Sequence, residues 1–177
     1  AIQEAAKDKD PERASRAGAA LRRIEESSWG EPNQGLRVRL LPLRSVWKAG
    51  QAPELSLEVR NGGEKAIEYS SAACLYCQIQ VDGEWYAWGK DIVLAMPTGM
   101  LAPGKDYTLT IRLTDDWATP PGSALGLKGK APKWLRLSPG RHVVRVSFTG
   151  YLSFDHREGG IPCESREVEV ELAREVL

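Results

Sequence analysis

The sequence is poor in the group most often used for proton transfer. It holds two histidines, His142 and His156, in 177 residues, which leaves little for general acid-base work. It also lacks a nucleophile elbow, a phosphate-binding glycine loop and an HExxH signature, so hydrolase, nucleotide-binding and metallopeptidase readings are each without their motif. No enzyme and no cofactor is expected. Charge of one sign is not in excess: Lys plus Arg number 24 and Asp plus Glu number 24, a balance with no overall field to attract nucleic acid or an anionic membrane. No stretch approaches the ~20 apolar residues that a spanning helix needs, and no charged-then-apolar leader opens the chain. Ala stands at position 1, so the chain reads as a piece of something larger, with any membrane attachment supplied by other parts of the full-length protein. Cysteine is scarce. Cys74, Cys77 and Cys163 fit one pair plus one buried thiol, an arithmetic that suits either a secreted or a cytosolic setting.

What is present divides at about residue 28. Residues 1–28 are rich in Ala, Arg, Glu and Lys. Asp10 followed by Pro11 predicts a capped helix start, and Ala14, Ala17, Leu21 and Ile24 recur at spacings of three and four, which predicts a helix with one thin apolar stripe. This segment is expected to be a linker or extension rather than a coiled coil, because half of the stripe is alanine.

From residue 29 to 177 the period changes to two. Leu36, Val38 and Leu40 alternate with Arg37 and Arg39. Leu55, Leu57 and Val59 run into the turn Asn61-Gly62-Gly63, and Leu75, Cys77, Ile79 and Val81 into Asp82-Gly83, a dipeptide suited to a tight hairpin. Pro103-Gly104 precedes Tyr107, Leu109, Ile111 and Leu113; Pro139-Gly140 precedes His142, Val144, Val146 and Phe148. A last strand carries Val168, Val170 and Leu172 inward and Glu167, Glu169 and Glu171 outward, a charge row that also discourages edge pairing. Seven to eight such strands, with no helical period between them, predict an all-β fold of two packed antiparallel sheets preceded by an α-helical extension. Residues 115–133 and 149–162 are expected to be long loops.

The order of these signals resembles a bacterial immunoglobulin-like module. The matching stretches are Trp29-Gly30-Glu31, Trp47 to Pro53, Val59 to Gly63, Val81 to Tyr86, Leu101 to Lys105, Leu137 to Gly140, and Val168 to Leu172. Repeats of this kind occur in multidomain cell-envelope and sensor proteins. More distantly, the chain is similar to the β-sandwich intracellular proteinase inhibitors, which share the Asp-Gly hairpin and the Pro-Gly before the penultimate strand. The resemblance implies a non-catalytic immunoglobulin-like β-sandwich acting as a spacer or a ligand- or protein-binding domain of an extracytoplasmic bacterial protein. The inhibitor likeness implies instead a long loop, residues 115–133, offered to a protease. Where many such domains carry a corner aromatic after the Pro-Gly, this chain has His142, expected as a hydrogen-bonded structural residue.

Site readings remain open at several places. In a regular strand positions three apart face opposite ways, so Cys74 and Cys77 cannot share a bridge or a metal without a bulge. Cys77 is expected as a buried structural group, and Cys74 to pair with Cys163 in a disulfide closing a loop of nearly ninety residues, a stabilisation of about 4 kcal/mol. The alternative is a small metal site built from Cys74, Cys77, Cys163 and His156, though its spacing matches no usual zinc module. Among the aromatics, Trp85 and Ala87 must point one way and Tyr86 and Trp88 the other. Trp47, Trp117 and Trp134 suit the core. An exposed binding surface for a protein or carbohydrate partner is expected around Tyr86, Trp88, Lys90 and Trp117, with Asp91 adding polar contacts; nucleic acid is not expected.

Overall fold

The computed structural model describes residues 10–70, 77–89, 98–120, 131–151 and 160–174. Its one described helix, α1 (Pro11–Ser27), begins as the sequence dictates: the Asp10 carboxylate accepts a hydrogen bond from the Glu12 amide at 2.9 Å, and Pro11 fills the first turn, where no donor is needed. Ala14, Ala17 and Leu21 of the stripe are half-buried; the side chain of Ile24 lies outside the described residues. The last turn and its cap are tied to the domain by an ion pair and a hydrogen bond. Arg37 donates to Glu26 at 2.8 Å, and Arg39 reaches the Ser28 hydroxyl at 3.3 Å. Trp29, which follows, is wholly buried with the guanidinium groups of Arg39 and Arg60 at 4.6 and 4.4 Å from its ring centroid, a cation–π arrangement that shields one indole with two charged side chains.

Among the described residues twelve strand segments follow, the first six being β1 (Leu36–Pro42), β2 (Val46–Trp47), β3 (Glu54–Asn61), β4 (Ile67–Ser70), β5 (Cys77–Val81) and β6 (Glu84–Trp88). Beyond them come β7 (Thr98–Leu101), β8 (Asp106–Arg112), β9 (Trp117–Ala118), β10 (Gly140–Tyr151), β11 (Gly160–Glu164) and β12 (Val168–Leu172). One sheet has the order β1-β3-β8. The other runs β2-β12-β10-β5-β6-β9, with β11 also on β10 and the β4–β7 pair beyond. Every pairing is antiparallel except that of β2 with β12: after Leu43–Ser45 the chain leaves the first sheet and joins the second, so its opening strand clasps both layers.

Alternation builds the core. Leu36, Val38 and Leu40 face Leu55, Leu57, Val59, Leu109 and Ile111 within one sheet, and together they meet Ile79, Val81, Val144, Val146, Phe148 and Val170 of the other. Burying each such side chain is worth roughly 1.5–3 kcal/mol relative to leaving it in water. The fold is an immunoglobulin-like antiparallel β-sandwich, as the period-two pattern predicts.

Two details differ from the sequence reading. Twelve segments appear in place of seven or eight strands because several strands are interrupted. β11 and β12 lie end to end on one edge of β10, and at the break the Ser165 hydroxyl, not a backbone carbonyl, accepts the Val146 N–H at 3.0 Å. The two expected loops are also shorter. β9 forms inside 115–133, β10 continues to Tyr151, and β11 begins at Gly160; residues 121–130 and 152–159 lie outside the described residues.

Candidate functional site

The β5–β6 hairpin turns through Asp82 and Gly83 with φ of 50° and 86°, the paired left-handed geometry that Asp-Gly accommodates. That turn sits beside the start of β10. Asp82 accepts the Val143 amide at 2.9 Å through one carboxylate oxygen and binds His142 Nδ1 at 2.7 Å through the other; His142 Nε2 lies 2.8 Å from the Ser138 carbonyl. Both ring nitrogens thus face acceptors. A neutral imidazole can donate only once, so the geometry calls for the doubly protonated ring. Burial works against that charge, but the Ser138 carbonyl and the Asp82 carboxylate outweigh it and raise the His142 pKa above its ordinary value. For Asp82 burial opposes ionisation too, and the bonds from His142 and Val143 together with the imidazolium charge hold its carboxyl below the usual range.

Opposite this hairpin runs the segment 131–138. Its backbone pairs with residues 117–119: Thr119 donates to Lys133, Leu135 donates to Trp117 at 2.8 Å, and Trp134 bridges Ala118. The second sheet is thus extended by an isolated bridge at Trp134 before the chain enters β10. Glu84 and Lys133 close the gap with an ion pair, and the Tyr86 hydroxyl donates to the same Glu84 oxygen, Oε2, at 3.0 Å. Lys133, followed by the Tyr86 hydroxyl, holds the Glu84 carboxyl below its ordinary pKa, whereas burial and then Glu84 push the Tyr86 phenol up. Between these walls lies a cleft of about 550 Å³, lined among others by Asp82, Glu84, Tyr86, Trp134, Arg136 and His142. The Trp134 indole is 40% exposed. It rests on Gly89, where an added Cβ would come within 2.5 Å of its ring, so only glycine lets the indole lie so close to the backbone.

The residues singled out from sequence are distributed unevenly around this cleft. Tyr86 is nearly buried in its floor. Trp117 is 1% exposed, donates its indole N–H to the Arg112 carbonyl at 2.8 Å, and meets the half-buried Trp88 edge-on at 5.4 Å, so it packs as a pillar of the core. Lys90 and Asp91 lie outside the described residues. Trp134, expected in the core, is the exposed indole instead. Its neighbours carried the signal: Leu135 is buried and Leu137 half-buried, so their alternation turns Trp134 and Arg136 outward. Trp85 lies on the opposite side of β6 from Tyr86, half-buried, with the Arg145 guanidinium 5.2 Å from its ring.

Cysteine chemistry is constrained by register. Phe148 pairs with Cys77 on one side and with Cys163 on the other, which puts the two cysteines two strand spacings, about 10 Å, apart and beyond a shared metal or bridge. Cys163 is a buried, unbridged thiol whose Sγ lies 3.2 Å from the Leu36 carbonyl, in place of the expected disulfide; Cys74 and His156 lie outside the described residues. Burial pushes the Cys163 thiol pKa up. Among the described residues no group of three or more His, Cys, Asp or Glu is placed to hold a metal.

Fold and cleft together define a small immunoglobulin-like β-sandwich with a polar, aromatic-rimmed depression beside the β5–β6 hairpin. No protein-family model matches the chain, and no curated protein matches its sequence. Solved structures with a similar course include a CARDB domain from Pyrococcus furiosus in complex with di-metal ions, at 13% identity over 84% of this chain and 97% of that one, TM-score 0.40. A β-glucosidase from Listeria innocua is similar at 15% identity and TM-score 0.40, with 80% of this chain covering 16% of the enzyme. The sporulation control protein Spo0M of Bacillus subtilis is similar at 12% identity and TM-score 0.43, over 80% of this chain and 50% of that one.

Proposed function

We propose that the chain is a non-catalytic binding module of a larger bacterial extracytoplasmic protein, and that it takes its ligand in the cleft between the β5–β6 hairpin and residues 131–138. The observation that carries this reading is the cleft itself: about 550 Å³, within the range of small-ligand sites, with an exposed indole beside convergent polar groups. Its titratable groups are engaged in ways that suit recognition more than turnover. His142 has both ring nitrogens bonded to acceptors of this chain, and Glu84 is held ionised by Lys133 and Tyr86, so both groups are committed to partners within the protein. The extracytoplasmic setting rests on the sequence resemblance.

Amide chemical-shift mapping of the whole chain against a mixed library of small sugars, peptides and nucleosides tests the reading. Ligand-induced shifts are expected to cluster at residues 82–86, 89 and 133–138. Shifts confined to the outer faces of the sheets, or none at millimolar ligand, would discard it.

A further inference from the structure

Building on that reading of the cleft, we infer that its ligand is an uncharged glycan, one pyranose ring of which stacks on Trp134. The charges in the cleft are mostly spent on one another. Asp82 pairs with His142 and Glu84 with Lys133, which leaves the exposed Arg136 guanidinium as the surplus charge among these lining residues and gives no strong field for an ionic ligand. What such pairs retain is hydrogen-bonding capacity in fixed directions. Lys133 and Tyr86 both bond Oε2 of Glu84, so Oε1 keeps its capacity to accept from a ligand hydroxyl, while Lys133 and Arg136 offer further donors. A neutral ring carrying several hydroxyls, each both donor and acceptor, satisfies that array; a hydrocarbon does not.

The indole supplies the complementary element. The C–H face of a pyranose is apolar and flat enough to cover an aromatic ring, and an amphipathic, rigid side chain is the usual anchor for such contacts. Trp134 is held in place: its backbone bridges Ala118, its neighbours Lys133 and Leu135 bond Thr119 and Trp117, and its ring is seated on Gly89. A platform already fixed in place loses little conformational entropy when a ligand lands on it. Gly89 is accordingly a positioning residue, since a Cβ there must push the indole from its seat.

The test titrates the whole chain with cellotriose, maltotriose and N-acetylchitotriose, with trigalacturonate as an acidic arm and a tetrapeptide library as a peptide arm, following the Trp134 indole N–H resonance and intrinsic fluorescence. At least one neutral trisaccharide is expected to shift that resonance, with affinity lowered at least about 10-fold in Trp134→Ala and unchanged in Trp85→Ala. In Gly89→Ala the indole resonance is expected to move before any sugar is added, with weakened binding after. Binding by trigalacturonate or peptides alone, at the cleft, would overturn the uncharged glycan while leaving the cleft a binding site. Trisaccharide affinity indifferent to Trp134→Ala overturns the inference, and silence from every arm overturns both it and the proposed function.

Discussion

At the scale of single residues, the side chains that matter most in this sandwich are polar ones placed where two segments meet. Asn61 is wholly buried, donating to the carbonyls of Lys65 and Leu101 and accepting the Gly63 amide; it knots a turn to β7, although its sequence context announces only the turn. His142 does the same between the hairpin and the crossing segment, and its charge makes the knot sensitive to pH. Its pKa is raised on folding, so its contribution is fully present below its unfolded value of about 6.5 and is lost as pH rises through the higher folded value. Asp82 has a lowered pKa, so its share is present above about 3.9 and fades as pH falls through the lower folded value. Between those limits the pair stabilises most. Urea unfolding at pH 5.5 and pH 9 is therefore expected to show the native protein losing stability with rising pH, and His142→Gln losing less. Parallel pH profiles for the two proteins would refute the imidazolium.

At the scale of elements, alternation told which face of each strand turns inward, and it did so for β1, β3, β8, β10 and β12 residue by residue. It could not tell where a strand breaks. The edge of β10 passes from β12 to β11 at Ser165, whose hydroxyl takes the Val146 N–H and donates in turn to the Arg166 carbonyl at 2.9 Å. Nothing in Glu164-Ser165-Arg166 distinguishes it from an ordinary turn, because the partner lies nineteen positions away. Ser165→Ala strands a buried amide and is expected to cost about 1–3 kcal/mol, read as a shift in the urea midpoint at constant slope. Ser165→Thr keeps the acceptor and should recover most of it. Equal stability of all three proteins would show that water satisfies the amide instead. Helix α1 belongs to the same scale: its cap was legible in Asp10-Pro11, but the ion pairs of Glu26 with Arg37 and of Glu25 with Arg39 were not. Their side chains sit on different elements and meet only when the extension lies over the first sheet.

At the scale of the whole molecule, the two sheets are joined along the edge where β11 passes β1. The Cys163 thiol donates to Leu36, Asn33 donates to the Pro162 carbonyl at 2.8 Å, and Arg166 donates to the Trp29 carbonyl at 3.0 Å. This seam is buried at its sulfur, and the thiol pKa is raised by that burial, so thiolate is scarce and access is blocked. Reaction of Cys163 with a maleimide, followed by mass spectrometry, is expected only at the rate of global unfolding and to accelerate in step with denaturant. Rapid labelling in the native protein would mean that the seam opens by itself.

The sequence by itself determined the layers. A period of two, bounded by turn residues whose φ preferences are intrinsic, decides which side chains must leave water, and that preference acts on each strand locally. The tertiary structure alone decided the cleft, the role of Trp134 and the separation of Cys77 from Cys163. Each depends on which strands become neighbours: Ala118 beside Trp134, Gly89 beneath its ring, Phe148 between the two cysteines. Contacts between residues distant in the chain are set by the global packing of apolar faces, and no local pattern carries them.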